Sequence, residues 1–126
     1  MQLTKHFKLA EFQCKDGTPV PDVYLENVQK LAEQLEIIRE EVGEPIYINS
    51  GFRTKQHNTH VGGAINSRHL TASASDIHCK GISPFYLFQR IKDLMRNNRI
   101  QRGGVILYKN FVHYDIRGYM YSSDAR

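Results

Sequence analysis

The stretch from Leu25 to Val42 constrains this chain more than any other. Leu25, Val28, Leu31, Ala32, Leu35, Ile38 and Val42 recur at helical intervals, so a helix would gather them into one apolar stripe among charged and amide residues. Pro21-Asp22 stands ahead of the run and Gly43 follows it, the residue types that start and stop helices. A stripe of this kind must be covered, and a chain of 126 residues is long enough to bury one core. We therefore expect a single domain, 1–126, in which this helix serves packing and not chemistry.

A second helix is predicted from Ser83-Pro84, with serine as cap and proline at the first helical position. Pro84, Phe88, Ile91 and Met95 then repeat at helical spacing up to Asn97-Asn98. Four strands are expected. "EPIYINS" is short and rich in β-branched and aromatic residues, and Ala74 to Cys79 alternates so that Asp76 and His78 share one face with Ile77 on the other. "GGVILY" and "FVHYDIR" complete the set, joined through Lys109-Asn110 as a two-residue hairpin, with Phe111, His113 and Asp115 on one face. Phe7, Leu9 and Phe12 are expected to dock the opening segment onto the core, "KDGTPVPD" reads as a turn, and "GFRTKQHNTHVGGAINS" reads as a long polar loop. The tail "GYMYSSDAR" is aromatic and then polar, with little structural signal. Helices segregated from strands indicate an α+β fold.

Composition narrows the class. Hydrophobic residues make up 40% and charged residues 24%, a globular balance that favours neither a disordered nor a fibrous chain. A net charge of +4 is compatible with anionic partners such as nucleic acid, teichoic acid or cell wall, though a solvated basic face is its commoner meaning. No apolar run is long enough for a bilayer, and the first residues lack a hydrophobic leader, so cytoplasmic synthesis without membrane insertion is expected. Cys14 and Cys79 have no paired spacing; free thiols are expected, with a disulfide left open.

Chemistry concentrates in "SRHLTASASDIH", where His69 and Asp76 lie seven positions apart, and in His113 on the hairpin. Two imidazoles and a carboxylate are three donors that zinc accepts, leaving a fourth position open as in catalytic sites. With six histidines in the chain, chance juxtaposition remains the competing explanation.

"SRHLTASASDIH" resembles the first metal motif of the zinc D-alanyl-D-alanine peptidases, which share the hedgehog/DD-peptidase fold and carry Ser-x-His, six residues, then Asp. "INSGFRTKQHNTHVGGAINS" is similar to the family's Ser-Gly-aromatic-Arg segment, "GGVILYKNFVHYDIRG" to its closing hairpin, and "HFKLAEF" to the start of phage and bacterial members. The resemblance implies a small antiparallel sheet packed with two main helices. It also implies Zn2+ held by His69, Asp76 and His113, and hydrolysis of peptide bonds in peptidoglycan stems or cross-links. Arg53 matches the family arginine that contacts a substrate carboxylate or carbonyl oxygen, and Ser67 matches a serine that binds substrate or orients the loop.

Two positions depart from the family pattern. Several relatives place an acidic general base three residues before the last zinc histidine, where this chain has Asn110. Asp115 is the nearest carboxylate on the same strand face, and we expect it to act as base or as orienter of the metal site. A glycine common three residues after the first ligand is Ala72 here, a small change.

The expected function is thus a zinc metallopeptidase, a D,D-carboxypeptidase or endopeptidase acting as a monomer on peptidoglycan peptides after phage-type release or virion delivery. A non-catalytic zinc-containing binding module for cell wall or protein is the alternative. A metal-dependent nuclease is disfavoured, because no dense basic patch with interleaved aromatics occurs, and no nucleic-acid partner is expected.

Overall fold

The structure is a computed structural model that describes every residue from Met1 to Arg126. The long periodic run forms α1, Leu25–Val42, preceded by a 3-10 turn at Asp22–Tyr24 and closed by Gly43 in the left-handed region at φ 73°. Gly43 donates its N–H to the Arg39 carbonyl, satisfying one of the carbonyls a helix end leaves free. Val28, Leu31, Ala32, Leu35 and Ile38 are buried, and each of the larger ones contributes roughly 1.5–3 kcal/mol on leaving water.

α2, Lys55–His60, is a short helix inside the segment expected to be an irregular loop. Its start was local after all: the Thr54 hydroxyl accepts from the His57 N–H, a serine/threonine cap hidden among polar residues. α3, Pro84–Arg96, begins as its sequence indicates, with Ser83 Oγ accepting from Tyr86 N–H, and it buries Leu87, Phe88, Ile91, Leu94 and Met95.

Five strands form one sheet in the order β1-β2-β4-β3-β5: β1 Tyr47–Ser50, β2 Ala74–His78, β3 Gly104–Leu107, β4 Val112–Asp115 and β5 Tyr121–Asp124. The first four pair antiparallel. β5, which the tail's composition did not announce, lies parallel to β3, so the sheet is mixed rather than purely antiparallel. Its ladder is a tertiary event: Tyr121 N–H reaches the Gly103 carbonyl at 3.1 Å and Ala125 N–H the Leu107 carbonyl at 2.8 Å. The hairpin turn is closed by Tyr108 N–H to the Phe111 carbonyl, with Lys109 and Asn110 exposed at its tip. Neither takes a positive φ, so the turn is not of the primed types that glycine and asparagine favour.

The sheet separates core from site. Ile77, Val105, Leu107, Val112 and Tyr114 face the core, where α3 packs on β3 and β4 and against α1. Phe7 and Phe12 close it from the opening segment, their ring centroids 6.2 Å apart, while Leu9 is half-buried against it. Cys14 and Cys79 are both buried free thiols. Strand alternation sends Asp76, His113 and Asp115 to the opposite face. No helix is long and apolar enough to cross a membrane.

Candidate metal centre

Each member of the triad comes from a different element. His69 lies in a 3-10 turn, Arg68–Thr71, whose first N–H groups are capped by Ser67: its Oγ accepts from His69 N–H at 3.2 Å. Asp76 and His113 are cross-strand partners in the β2–β4 ladder. Because antiparallel partners place their side chains close together on the same face, this pairing sets carboxylate beside imidazole without any loop geometry. His69 reaches them from above, its ring edge-on to His113 with centroids 5.3 Å apart. All three are buried, at 2%, 6% and 7% exposure, and their donor atoms lie within 4.8 Å of one another.

The hydrogen bonds behind these rings decide which nitrogen faces inward. His69 Nδ1–H donates to the Gly51 carbonyl at 2.7 Å, leaving Nε2 bare, 3.3 Å from Asp76 Oδ1. His113 Nε2–H donates to Asp115 Oδ2 at 2.7 Å, leaving Nδ1 bare, 3.2 Å from the same Asp76 oxygen. Ligands about 2.0–2.1 Å from a tetrahedral ion sit roughly 3.3 Å from each other, so both separations fit a zinc polyhedron. The donor set therefore suits a borderline-soft divalent metal, with each histidine braced by a second acceptor as metal-binding histidines are. His69 Nε2, Asp76 Oδ1 and His113 Nδ1 are the atoms that could hold it.

Electrostatics keep both carboxylates of the site ionised. Burial alone would raise the Asp76 carboxyl, yet hydrogen bonds and charge from His113 and His69 outweigh it and hold it well below the usual carboxylate range. Asp115 behaves likewise: burial is opposed by hydrogen bonds from His113, Arg117 and the Gly104 N–H, and the balance keeps it ionised. Burial works against an imidazolium at His113, but the two flanking carboxylates raise its proton affinity.

Arg53 is held as a fork. Its Nη2 donates to Asp76 Oδ2 at 3.0 Å, its Nε to Ser50 Oγ at 3.0 Å, and its Nη1 to Asn58 Oδ1 at 3.2 Å. Asn58, buried, passes the constraint on by donating to the Ala64 carbonyl at 2.9 Å, and Arg53 N–H is tied to the His69 carbonyl. A cleft of about 460 Å³ opens over these groups, lined among others by Arg53, Ser67, Arg68, Tyr108, Phe111 and Arg117.

Ala72 ends the 3-10 turn in the left-handed region at φ 58°, a conformation that glycine adopts without strain. An alanine there costs roughly 1–2 kcal/mol of backbone strain, against about 0.8 kcal/mol from its buried methyl, so the net cost is small.

The other histidines stand apart from the triad. His78 Nδ1 meets Asn49 Oδ1 at 2.5 Å and its ring stacks on Tyr47, while His57 and His60 face each other on α2. Asn110 is exposed at the hairpin tip. Three residues that the motif reading passed over belong to the cleft: Arg68, inside the quoted motif; Arg117, two positions beyond Asp115; and Tyr108, whose ring stacks on Phe111 at 4.6 Å. Burial and the nearby Asp76 charge push the Tyr108 phenol upward, so it keeps its proton as a donor.

The chain is similar to known proteins in sequence and in structure. Over 45 residues, 35% of this chain, the sequence is 44% identical to the zinc D-Ala-D-Ala carboxypeptidase of Streptomyces albus G. That match spans 18% of the relative's length. Among solved structures, the chain is similar to the Serratia marcescens L-Ala D-Glu endopeptidase ChiX, with 19% identity and a TM-score of 0.47 over 75% of this chain and 86% of that one. The sequence model of the family described as Peptidase M15 matches residues 5–115, nearly the full length, and the chain belongs to that family.

Proposed function

We propose that residues 1–126 act as one zinc peptidase domain that hydrolyses amide bonds in the peptides of peptidoglycan, as a D,D-carboxypeptidase or an endopeptidase. The carrying observation is that the two bare histidine nitrogens and Asp76 Oδ1 converge on one point, with both ring tautomers set by hydrogen bonds from behind. The family's named chemistry and the zinc carboxypeptidase relative support the choice of metal and bond class.

When bound, zinc supplies Lewis acidity, which polarises a carbonyl and makes water nucleophilic near neutral pH. The chain's own residues do the rest. His69, Asp76 and His113 would hold the ion, and the cleft opens over the same three residues. Arg53, fixed by three acceptors, presents a positive edge to a carbonyl oxygen as negative charge develops there, at no cost of reorganisation. Tyr108 offers a hydroxyl proton from the facing hairpin.

Of the two roles expected for Asp115, positioning is the one its surroundings support. Its Oδ2 accepts from His113 and Arg117, and its Oδ1 from Gly104 N–H and from Arg117 N–H and Nε, so both oxygens are engaged behind the imidazole. Ser67 is read in the same way, as the cap that orients His69.

The second reading, a zinc-containing module that binds cell-wall peptides without cleaving them, is favoured by Asn110 at the exposed turn and by the lack of any cleft carboxylate besides Asp76. Metal analysis with muropeptide mass spectrometry separates the two. One zinc per chain with a new product mass, both lost in His113→Ala and the product lost with chelator, supports the peptidase. One zinc per chain with no product leaves the binding module.

A further inference from the structure

Three arginines line the cleft, and two are committed. Arg53 pairs with Asp76 at 3.0 Å and Arg117 with Asp115 at 2.7 Å. Arg68 joins no ion pair in the chain and its guanidinium makes no hydrogen bond, although it lines the same cleft and is half-buried. Three guanidinium charges therefore face two carboxylates, and the uncompensated one is Arg68. A divalent ion in the triad would add to the excess.

The backbone of Arg68 is as fixed as its side chain is free. Its carbonyl accepts from Ser73 N–H at 3.1 Å, Ser73 Oγ at 3.1 Å and Thr71 Oγ1 at 3.3 Å, while the residues on either side are the cap Ser67 and the triad member His69. The root of the side chain thus cannot drift relative to the metal centre. A rigidly rooted, half-desolvated guanidinium without an internal acceptor is a receptor for a planar anion, because its fork matches a carboxylate and its charge counts for more away from bulk water.

Building on the peptidase reading, we infer that Arg68 selects substrates carrying a free carboxylate close to the scissile amide. Arg53 serves this purpose less well, since its charge is paired with Asp76 and three of its five N–H groups are engaged by Asp76, Ser50 and Asn58. Two carboxylates of a stem peptide have the right chemistry: the terminal α-carboxylate, and the α-carboxylate of a γ-linked glutamate.

Matched synthetic stem peptides, each differing only as acid or carboxamide at one of these two places, distinguish the sources with the zinc-loaded full chain. Wild type is expected to favour one acid over its amide by about 10–100-fold in kcat/KM, the range of a charge-assisted hydrogen bond. Arg68→Gln should bring that ratio within about threefold of unity and Arg68→Lys should leave it intermediate, with one zinc per chain in every variant. The pair whose ratio collapses identifies the carboxylate. Acid and amide handled alike by wild type, or a wild-type ratio retained in Arg68→Gln, overturns the inference. If zinc-loaded wild type cleaves none of the peptides, the peptidase reading fails instead, and calorimetric binding of the same pairs to wild type and Arg68→Gln decides Arg68 by the same ratios.

Discussion

His113 donates from Nε2 to Asp115 Oδ2 at 2.7 Å, on the side of the ring opposite the Nδ1 that faces Asp76. Two residues apart on β4, they share one face of the strand, so the brace behind the histidine is built by strand alternation alone. The same carboxylate, fully buried, also neutralises Arg117.

Asp115→Asn removes that charge while keeping the shape. The expected result is a 10–100-fold loss of zinc affinity, since the ring loses the charged acceptor that fixes its tautomer and raises its basicity. Loss of one partner of the Arg117 pair should destabilise the fold by about 3–5 kcal/mol. Competitive zinc titration and denaturant unfolding measure the two effects; unchanged zinc affinity would remove Asp115 from the metal site.

Gly104→Ala tests the same brace from a residue that touches no triad member. A Cβ at this position would stand 2.5 Å from both Asp115 Oδ2 and Arg117 Nη2, so the ion pair must shift. We expect about 1–3 kcal/mol of destabilisation from the overpacking and weaker zinc binding, read by the same titration. An alanine variant that binds zinc like wild type would mean the pair moves without disturbing His113.

Arg53→Lys keeps the charge and loses the fork. An ammonium on a flexible stem cannot hold Ser50, Asn58 and Asp76 at once, so the edge presented to substrate is no longer fixed. On a cleaved muropeptide, kcat/KM should fall about 100-fold or more, in the range for removing a preorganised oxyanion donor. A lysine variant within threefold of wild type would show that charge alone suffices.

Cys79 supplies a pH signature away from the metal. Burial, helped by the charge of Glu44, pushes its thiol up to about 11. The unfolded thiol ionises at about 8.5, so between that pH and 11 the folded state binds more protons and stability declines as pH rises. Iodoacetamide at pH 8.5 should label Cys79 slowly in the folded protein and rapidly in denaturant. Equal rates in both states would contradict its burial.

Much of this architecture is written locally. The stripe on α1, the Ser83-Pro84 start of α3 and the alternation that places Asp76 opposite Ile77 are periodic signals, readable because neighbours in the chain are neighbours on the element. The hairpin was legible for the same reason. α2 was not, because six polar residues give no apolar period and only the Thr54 cap marks their start.

What the sequence determined by itself was the inventory: two long helices, four antiparallel strands, and the residues His69, Asp76 and His113 as donors of the right chemical kind. Tertiary structure decided what each donor does. The tautomer of His69 depends on the Gly51 carbonyl, eighteen residues away, and the freedom of Arg68 follows from where Asp76 and Asp115 point their oxygens, toward Arg53 and Arg117. β5 likewise exists only as a partner of β3. Periodicity encodes which face a side chain occupies; hydrogen bonds between distant segments encode which atom of it is left free, and those form only when the chain has closed around them.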